Sequence, residues 1–517
     1  MKKLLALGGL LYLCTSLTLA QHDHRPQCGL PAASEDLLMQ RLRTNKQTLA
    51  RGLAQNLRQQ MSFIPITFHV VRRNDGSEGV SWTDLTDQLC SLNDYYTQQN
   101  TNLQFYIQGI NEFSNSQVYD AHFETAGQNV LSREKVDRTI NIFIVGSAET
   151  SDQGTGITLG YFSPADDWIV VRTDEIRADG ETLYHELGHY FGLPHPFRGW
   201  DFEPYNRADH GAQVSTFAPS TGYPNPIANE QQDGANCEFA GDEICDTPPD
   251  YNFATFDWGC NYVGGVRDPA GTRVDPDERN IMSYFISCPD KTFTPQQKAL
   301  MGADLFNRIL DETIVFGSDP GSSTLPVPQL QSPADQSGQA DFSTLDFSWS
   351  EVPDAFRYLL EFDDSPSFAV GTLQFLIEGN TFTLSNPGFF EANRLYYWRV
   401  RPIGRYAACT NWSGTFRFFT NIVTSLRPNT TDLDWRLYPN PRFGTSPLAL
   451  ELHSDRSREW TAQLYRTDGS RVGEGWRFLN GPGRHTELLA LDELRSGIYL
   501  LRLESEGGGW VRKLVVR

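Results

Sequence analysis

The stretch "YHELGHYFGLPHP", Tyr184–Pro196, decides how the first half of the chain is read. It contains the pattern H-E-x-x-H-x-x-G-x-x-H as His185, Glu186, His189, Gly192 and His195. On a helix, residues four apart lie about 40° from one another, so the imidazoles of His185 and His189 can reach one ion at ~2.0–2.1 Å. Leu183, Leu187, Tyr190 and Phe191 fall roughly on the opposite side and anchor the helix to a core. Gly192 ends the helix where a side chain would obstruct a sharp turn, and that turn swings His195 back as a third neutral ligand. Three nitrogen ligands leave zinc a fourth position for water, as a catalytic site requires and a closed structural site does not. A metal so held lowers the pKa of water toward ~7; Glu186 is placed to take that proton and pass it to the leaving amine of a cut peptide bond. H-E-x-x-H alone can occur by chance on a polar helix face, but the longer motif fixes five positions and uses three of the ten histidines.

The full pattern is the metzincin signature, which next requires a methionine-containing turn beneath the metal. "RNIMSYFISC" supplies Met282 and, two residues later, Tyr284. Within the metzincins these residues resemble the pappalysin family, whose Met-turn is followed by a cysteine and an "FT"-led helix, here Cys288 and "TFTPQQKALM". Thr294 as cap, Pro295 at the first position and Gln297 at the third mark that helix start. The resemblance covers roughly Ile64–Phe306. It implies that Tyr284 stands near the metal and stabilises the tetrahedral intermediate as a hydrogen-bond donor. It also implies that "GYFSPADDWIVVR" is a strand along which substrate aligns. "GDEICDTPPD" (Gly241–Asp250) matches a family element supporting structural calcium, carried here by Asp242, Asp246 and Thr247; hard oxygen ligands suit that ion, and an Asp/Pro-rich turn is the alternative.

Two features depart from the family. A Gly/Asn/Gln/Pro-rich insertion near Arg198–Gln232 is expected to form a rim or lid. Phe285 and Ile286 follow the Met-turn tyrosine where arginine-preferring members carry acidic residues, which favours an apolar substrate side chain if that stretch lines the pocket.

The chain has 517 residues, too many for one core. A net charge of −21 excludes nucleic acid as the expected partner, because phosphate binding needs a basic surface. Residues 1–20 read as a cleavable signal peptide, with Lys2 and Lys3, an apolar run Leu4–Leu13 and a small-residue exit at Ala20. A lipid anchor on Cys14 is the alternative, disfavoured by Leu13. No later stretch is long and apolar enough to span a bilayer.

Once the signal leaves with Cys14, seven cysteines remain, an odd number. Four of them lie between Cys237 and Cys288, and export meets oxidising conditions, so Cys260–Cys288 and Cys237–Cys245 are the expected local disulfides. Cys28, in "HDHRPQCGLPA", resembles the cysteine switch of the same family: a thiolate is a zinc ligand and would occupy the water's position. A disulfide from Cys28 to Cys90 or Cys409, or a spectator thiol, are the alternatives. On the switch reading residues 21–58, helical from 34 onward, are a propeptide, with Arg51 and Arg58 as candidate cleavage points.

The remaining divisions follow composition. Buried strands "FIPITFHVVRR", "TINIFIVG" and "WIVVR" alternate with a helix capped by Ser81 and another beginning near Asp179, giving a catalytic domain over 59–316. After the seam "GSDPGSS" the pattern turns to short alternating strands. "FSWSEV", "YLLEF", "YYWRVRPI" and "WSGTFRFFT" in that order resemble a fibronectin type III module over 324–424. "LYPNP", "SGIYLLRLES" and the terminal "KLVVR" resemble the sorting domain of type IX secretion cargo, over 431–517; the resemblance implies a small β-sandwich read by an outer-membrane export machine. The expected fold class is therefore α+β: a metzincin-type zincin followed by two β-sandwiches. The expected function is a secreted zinc endopeptidase, made latent, acting on extracellular proteins or peptides and either released or held at the outer cell surface. The competing readings are an adhesion protein with a scaffold zinc domain and a zinc hydrolase of non-peptide amides or esters.

Overall fold

The computed structural model describes residues 26–28 and 32–516, apart from 55–59, 151–156, 220–221, 254–259, 286–287, 321–323, 340–341, 343, 370–371, 385–389, 392, 421–433, 443–446, 467–470, 492–493, 495 and 506–507. The expected signal peptide, Arg58, Ile286 and the second seam near 427–431 lie outside the described residues.

A six-stranded sheet organises the first half. Its strands are β1 (Pro26–Cys28), β2 (Ser62–Arg72), β3 (Leu103–Ser114), β4 (Ile140–Val145), β5 (Ile157–Ser163) and β6 (Trp168–Arg172). They run in the order β1-β5-β6-β4-β2-β3. β2, β3, β4 and β6 are parallel, whereas β5 pairs antiparallel with β6. β2 and β4 are almost continuously buried, as strands covered on both faces are. The expected single strand "GYFSPADDWIVVR" is instead the β5–β6 hairpin. The chain reverses at 164–167, where Asp167 takes φ +60° and Ser163 Oγ donates to Asp166 Oδ2 at 2.7 Å.

The helices are α1 (Ala32–Ala50), α2 (Trp82–Gln98), α3 (Ser116–Ala121), α4 (Thr125–Glu134), α5 (Thr182–Tyr190), α6 (Arg207–His210) and α7 (Pro295–Leu310). Ser81 caps α2 by accepting from the Asp84 N–H at 3.0 Å, and Leu85, Leu89, Leu92 and Tyr96 form its buried face. Thr294 and Gln297 make the reciprocal capping box that starts α7. α5 begins at Thr182, three residues later than its expected start near Asp179.

α1 corrects the extent of the expected propeptide helix, which ends at Ala50 rather than continuing to 58. Although α1 is mostly polar, Met39 and Leu42 enter the main core and Leu38 is buried. Its polar side chains are equally engaged: Asn45 donates to Asp304 at 3.0 Å, Thr48 to Asn307 at 2.9 Å, and Arg43 pairs with Glu243. Fixing so many long side chains costs rotamer entropy, which these contacts and the apolar burial offset.

Beyond residue 324 the described structure is strand and loop. β7 to β14 (Leu330–Ser332, Ser337–Gln339, Leu345–Trp349, Ala355–Asp363, Leu373–Ile377, Thr381–Leu384, Leu395–Gly404, Phe416–Thr420) make one sheet ordered β11-β10-β13-β14-β8 and another ordered β12-β9-β7. Trp349, Phe362, Trp398 and Phe418 pack between them. β15 to β21 (Trp435–Tyr438, Leu448–Ser454, Arg458–Arg466, Arg471–Asn480, Gly483–Leu489, Gly497–Ser505, Gly508–Val516) form sheets ordered β15-β16-β19 and β18-β17-β20-β21. Their shared core centres on Trp460, Leu501 and Leu514.

The first strand pair of sheets is docked on the α/β half. Cys90 of α2 is bonded to Cys409, Arg401 reaches Asp87 at 2.7 Å, and Tyr406 stacks on Tyr106 with ring centroids 4.5 Å apart.

Candidate metal centre

His185 and His189 project from α5 one turn apart, and both are buried. The helix stops at Gly192, whose φ of +84° is open to glycine, and a Cβ there would lie 2.7 Å from Asn45 Nδ2 of α1. The following turn brings His195 back. The three Nε2 atoms converge at 3.0 Å (His189 to His185), 3.0 Å (His189 to His195) and 3.2 Å (His185 to His195).

What holds each ring determines its protonation. His185 Nδ1 lies 2.8 Å from the carbonyl of Ile281, and His189 Nδ1 lies 2.7 Å from that of Leu193. A carbonyl can only accept, so both Nδ1 atoms carry the proton and both Nε2 lone pairs face the common centre. Burial, reinforced by the neighbouring imidazoles, pushes the pKa of both rings down and keeps them neutral. Three ring nitrogens converging on one point fit a borderline-soft divalent metal. Among the described residues this is the one group of three His, Cys, Asp or Glu ligand atoms whose members are all buried.

Glu186 is fully buried on α5 beside the first histidine. β5 covers it: a Cβ on Gly160 would stand 3.3 Å from Glu186 Cγ. Met282 lies beneath α5, and a Cβ on Gly188 would come within 2.3 Å of its Sδ. The Tyr284 ring sits 5.0 Å from that of His195 and 5.9 Å from that of His185. Phe197 stacks on His195 at 4.4 Å and also meets the Tyr284 ring at 4.5 Å. The motif and the Met-turn, distant in sequence, are thus brought together.

The disulfides Cys260–Cys288 and Cys237–Cys245 are present as expected. With Cys90–Cys409 they take six of the eight cysteines, leaving Cys14 and Cys28. The backbone of Cys28 is in β1, in register with Gly160 of β5; its side chain lies outside the described residues.

Of the expected calcium group, Asp242 and Thr247 meet at 2.9 Å, whereas both oxygens of Asp246 serve the start of α7, accepting from Thr294 Oγ1 at 2.6 Å and Gln296 N–H at 2.8 Å. Beside Asp242 stands Glu230, which the sequence reading did not single out. Both carboxylates are buried, and Glu230 Oε2 has no hydrogen-bond partner among the described residues. Burial, and for Glu230 also the charge of Asp242, pushes both pKa values up.

Trp200, Tyr205 and Val214 of the insertion after His195 pack with Tyr251, Phe253 and Tyr262 from the chain beyond it in a separate small core. Phe285 belongs to that core at 1% exposure, so its side chain is committed to packing and does not line an open pocket.

Comparison with known proteins adds two findings. Residues 436–517 match the family described as the secretion system C-terminal sorting domain. A type IX sorting domain addresses its carrier to the secretion machinery, so this is a secreted protein. Among the described residues no helix is long and apolar enough to cross a membrane. The chain is also similar, at 27% identity over 284 residues, to an extracellular metalloprotease of Colletotrichum graminicola; the match spans 52% of this chain and 92% of the relative. That distant likeness points to a secreted protease that uses a metal. Solved structures with local similarity include chicken CNTN1 FN1–FN3 domains (10% identity, 39% of this chain and 70% of that one, TM-score 0.17) and the fibronectin(III)-like modules of Clostridium thermocellum CbhA (10%, 37% and 94%, TM-score 0.15).

Proposed function

We propose that the chain is a zinc-dependent endopeptidase of the metzincin type, resembling the pappalysins and made as a latent proprotein. The convergence of three imidazoles beside a buried glutamate, which shares its helix with two of them, carries this reading. His185, His189 and His195 would hold zinc, which when bound supplies a Lewis acid for the scissile carbonyl and lowers the pKa of water to ~7. Glu186 takes the proton from the attacking water and returns it to the leaving amine. Tyr284 lies close enough to donate a hydrogen bond to the oxygen that becomes negative in the tetrahedral state. Met282 packs under the ligand helix.

Latency is supported from two directions. β1 occupies the outer edge of β5, the edge an extended peptide would use as an added strand. The in-register partner of Cys28 is Gly160, the residue lying over Glu186. Since the other exported cysteines are paired, Cys28 remains for the switch. Residues 21–58 are the propeptide on this reading, 59–316 the catalytic domain, 324–424 a fibronectin type III-like module and 431–517 the sorting sandwich. Asp242 and Thr247, with Asp246 nearby in sequence, are the calcium candidates, and the buried Glu230–Asp242 pair supports a cation there.

The reading is tested by incubating the zinc-loaded Cys28→Ala protein with an unfolded protein substrate, beside Cys28→Ala/Glu186→Ala. Peptide bonds cut only by the first sample support it. Turnover of small esters or amides without any cut in protein, or no turnover in either sample, would overturn it.

A further inference from the structure

The third histidine is held differently from the other two. His185 and His189 donate to backbone carbonyls, and their own positions are set by α5. His195 lies beyond the end of that helix. Its Nδ1 instead meets a carboxylate, Asp201 Oδ1, at 2.7 Å. The other oxygen of Asp201 accepts from the Gly199 N–H at 3.1 Å and from the Tyr223 hydroxyl. The Asp201 side chain is only 14% exposed, and both its oxygens are occupied.

Tyr223 comes from later in the insertion, and local packing fixes it. Its ring meets Phe202 edge-on at 5.6 Å. Gly222 before it takes φ +81°, and a Cβ there would lie 2.3 Å from the Phe202 ring. Only glycine allows this approach. Gly199, Asp201 and Phe202 therefore meet Gly222 and Tyr223 around one carboxylate aimed at His195.

We propose that Asp201 is the positioning residue for the third metal ligand, and that Tyr223 holds Asp201 in that role. This rests on the zinc reading above. A carboxylate on Nδ1 fixes the tautomer that leaves the Nε2 lone pair on the metal side and orients the ring. The insertion is thus part of the metal centre rather than only a rim around it. Loss of such a partner typically weakens metal binding 10–100-fold.

The test uses the full chain without its signal, as wild type, Asp201→Ala, Asp201→Asn and Tyr223→Phe. Zinc affinity is measured by chelator competition, the melting temperature of each metal-free protein is recorded, and histidine ring-nitrogen NMR is run on the metal-free samples. Asp201→Ala is expected to bind zinc about 10–100-fold more weakly. Asp201→Asn, whose amide oxygen still accepts from Nδ1–H, should lose less, and Tyr223→Phe less again. The melting temperatures should stay together, and the Nδ1–H signal of His195 should be lost or shifted in Asp201→Ala. Equal zinc affinity for Asp201→Ala and wild type, or a loss matched by an equal fall in metal-free stability, would overturn the proposal. If the wild type takes up no zinc, the zinc reading fails, and an unchanged His195 nitrogen signal in Asp201→Ala separately overturns the positioning role.

Discussion

Gly188 and Met282 are packed so closely that a Cβ on the glycine would lie 2.3 Å from the methionine Sδ and 3.3 Å from Phe293 Cε1. The ligand helix therefore rests directly on the Met-turn, which also supplies the Ile281 carbonyl that orients His185. Gly188→Ala should force the two apart, costing about 1–3 kcal/mol as other overpacked core positions do. Zinc affinity should fall with it, because the ring of His185 moves relative to its carbonyl. Denaturant unfolding and chelator competition on the same sample check this; a variant unchanged in both would show that the turn does not support the helix.

Glu230 and Asp242 govern a pH dependence with a definite sign. Both have folded-state pKa values raised by burial, so the folded state holds their protons more tightly than the unfolded chain. Stability from this pair is complete below the ordinary carboxylate range and is lost as pH rises from there through neutrality. A bound divalent cation replaces the protons and should abolish that loss. Urea midpoints from pH 4 to 8, with EDTA and with calcium, are expected to diverge increasingly toward pH 8, and Glu230→Gln should narrow the gap. Coincident curves would remove the case for a cation at this pair.

The Cys90–Cys409 disulfide joins residues 319 apart and fastens the first sandwich to α2. Replacing both cysteines by serine should destabilise the chain by about 2–4 kcal/mol. Limited proteolysis in the 317–323 seam should leave the fragments joined on a non-reducing gel and separate on a reducing one. Separation under both conditions would mean the disulfide is absent in the exported protein.

Glu35 and Arg198 tie α1 to the loop that follows His195, with side-chain exposures of 6% and 10%. Removing one partner of such a buried pair leaves the other charge uncompensated, at about 3–5 kcal/mol. Glu35→Ala should destabilise the proprotein by that amount and speed the departure of the segment up to residue 58. After that segment has been removed from both proteins, their stabilities should be equal. A cost below about 1 kcal/mol in the proprotein would show the pair to be solvent-screened.

The local parts of the site were legible in the sequence because helix periodicity and one glycine dictate them. His185, His189 and Glu186 need only α5, and His195 needs only the turn at Gly192. Met282 is marked by its motif, and in the structure it packs against Gly188 of α5. Asp201 and Tyr223 escaped because nothing in their spacing marks them; only the folded insertion brings the tyrosine back to the aspartate. Glu230 escaped for the same reason, since its partner Asp242 meets it through chain reversal rather than periodicity. The β5–β6 hairpin was misread as one strand because the polar turn Asp166–Asp167 interrupts two apolar runs that each fit a strand. The Cys90–Cys409 pair follows from docking between two modules, which no local pattern reports.

The central claim is tested most directly by the intact mass of the purified signal-less proprotein over time with zinc and calcium, beside Glu186→Ala. The account predicts that the wild type loses its front segment at a cut after Arg51 or Arg58 and that Glu186→Ala keeps its full mass. Identical behaviour of the two proteins, with the zinc-loaded Cys28→Ala protein also unable to cut a protein substrate, would contradict it.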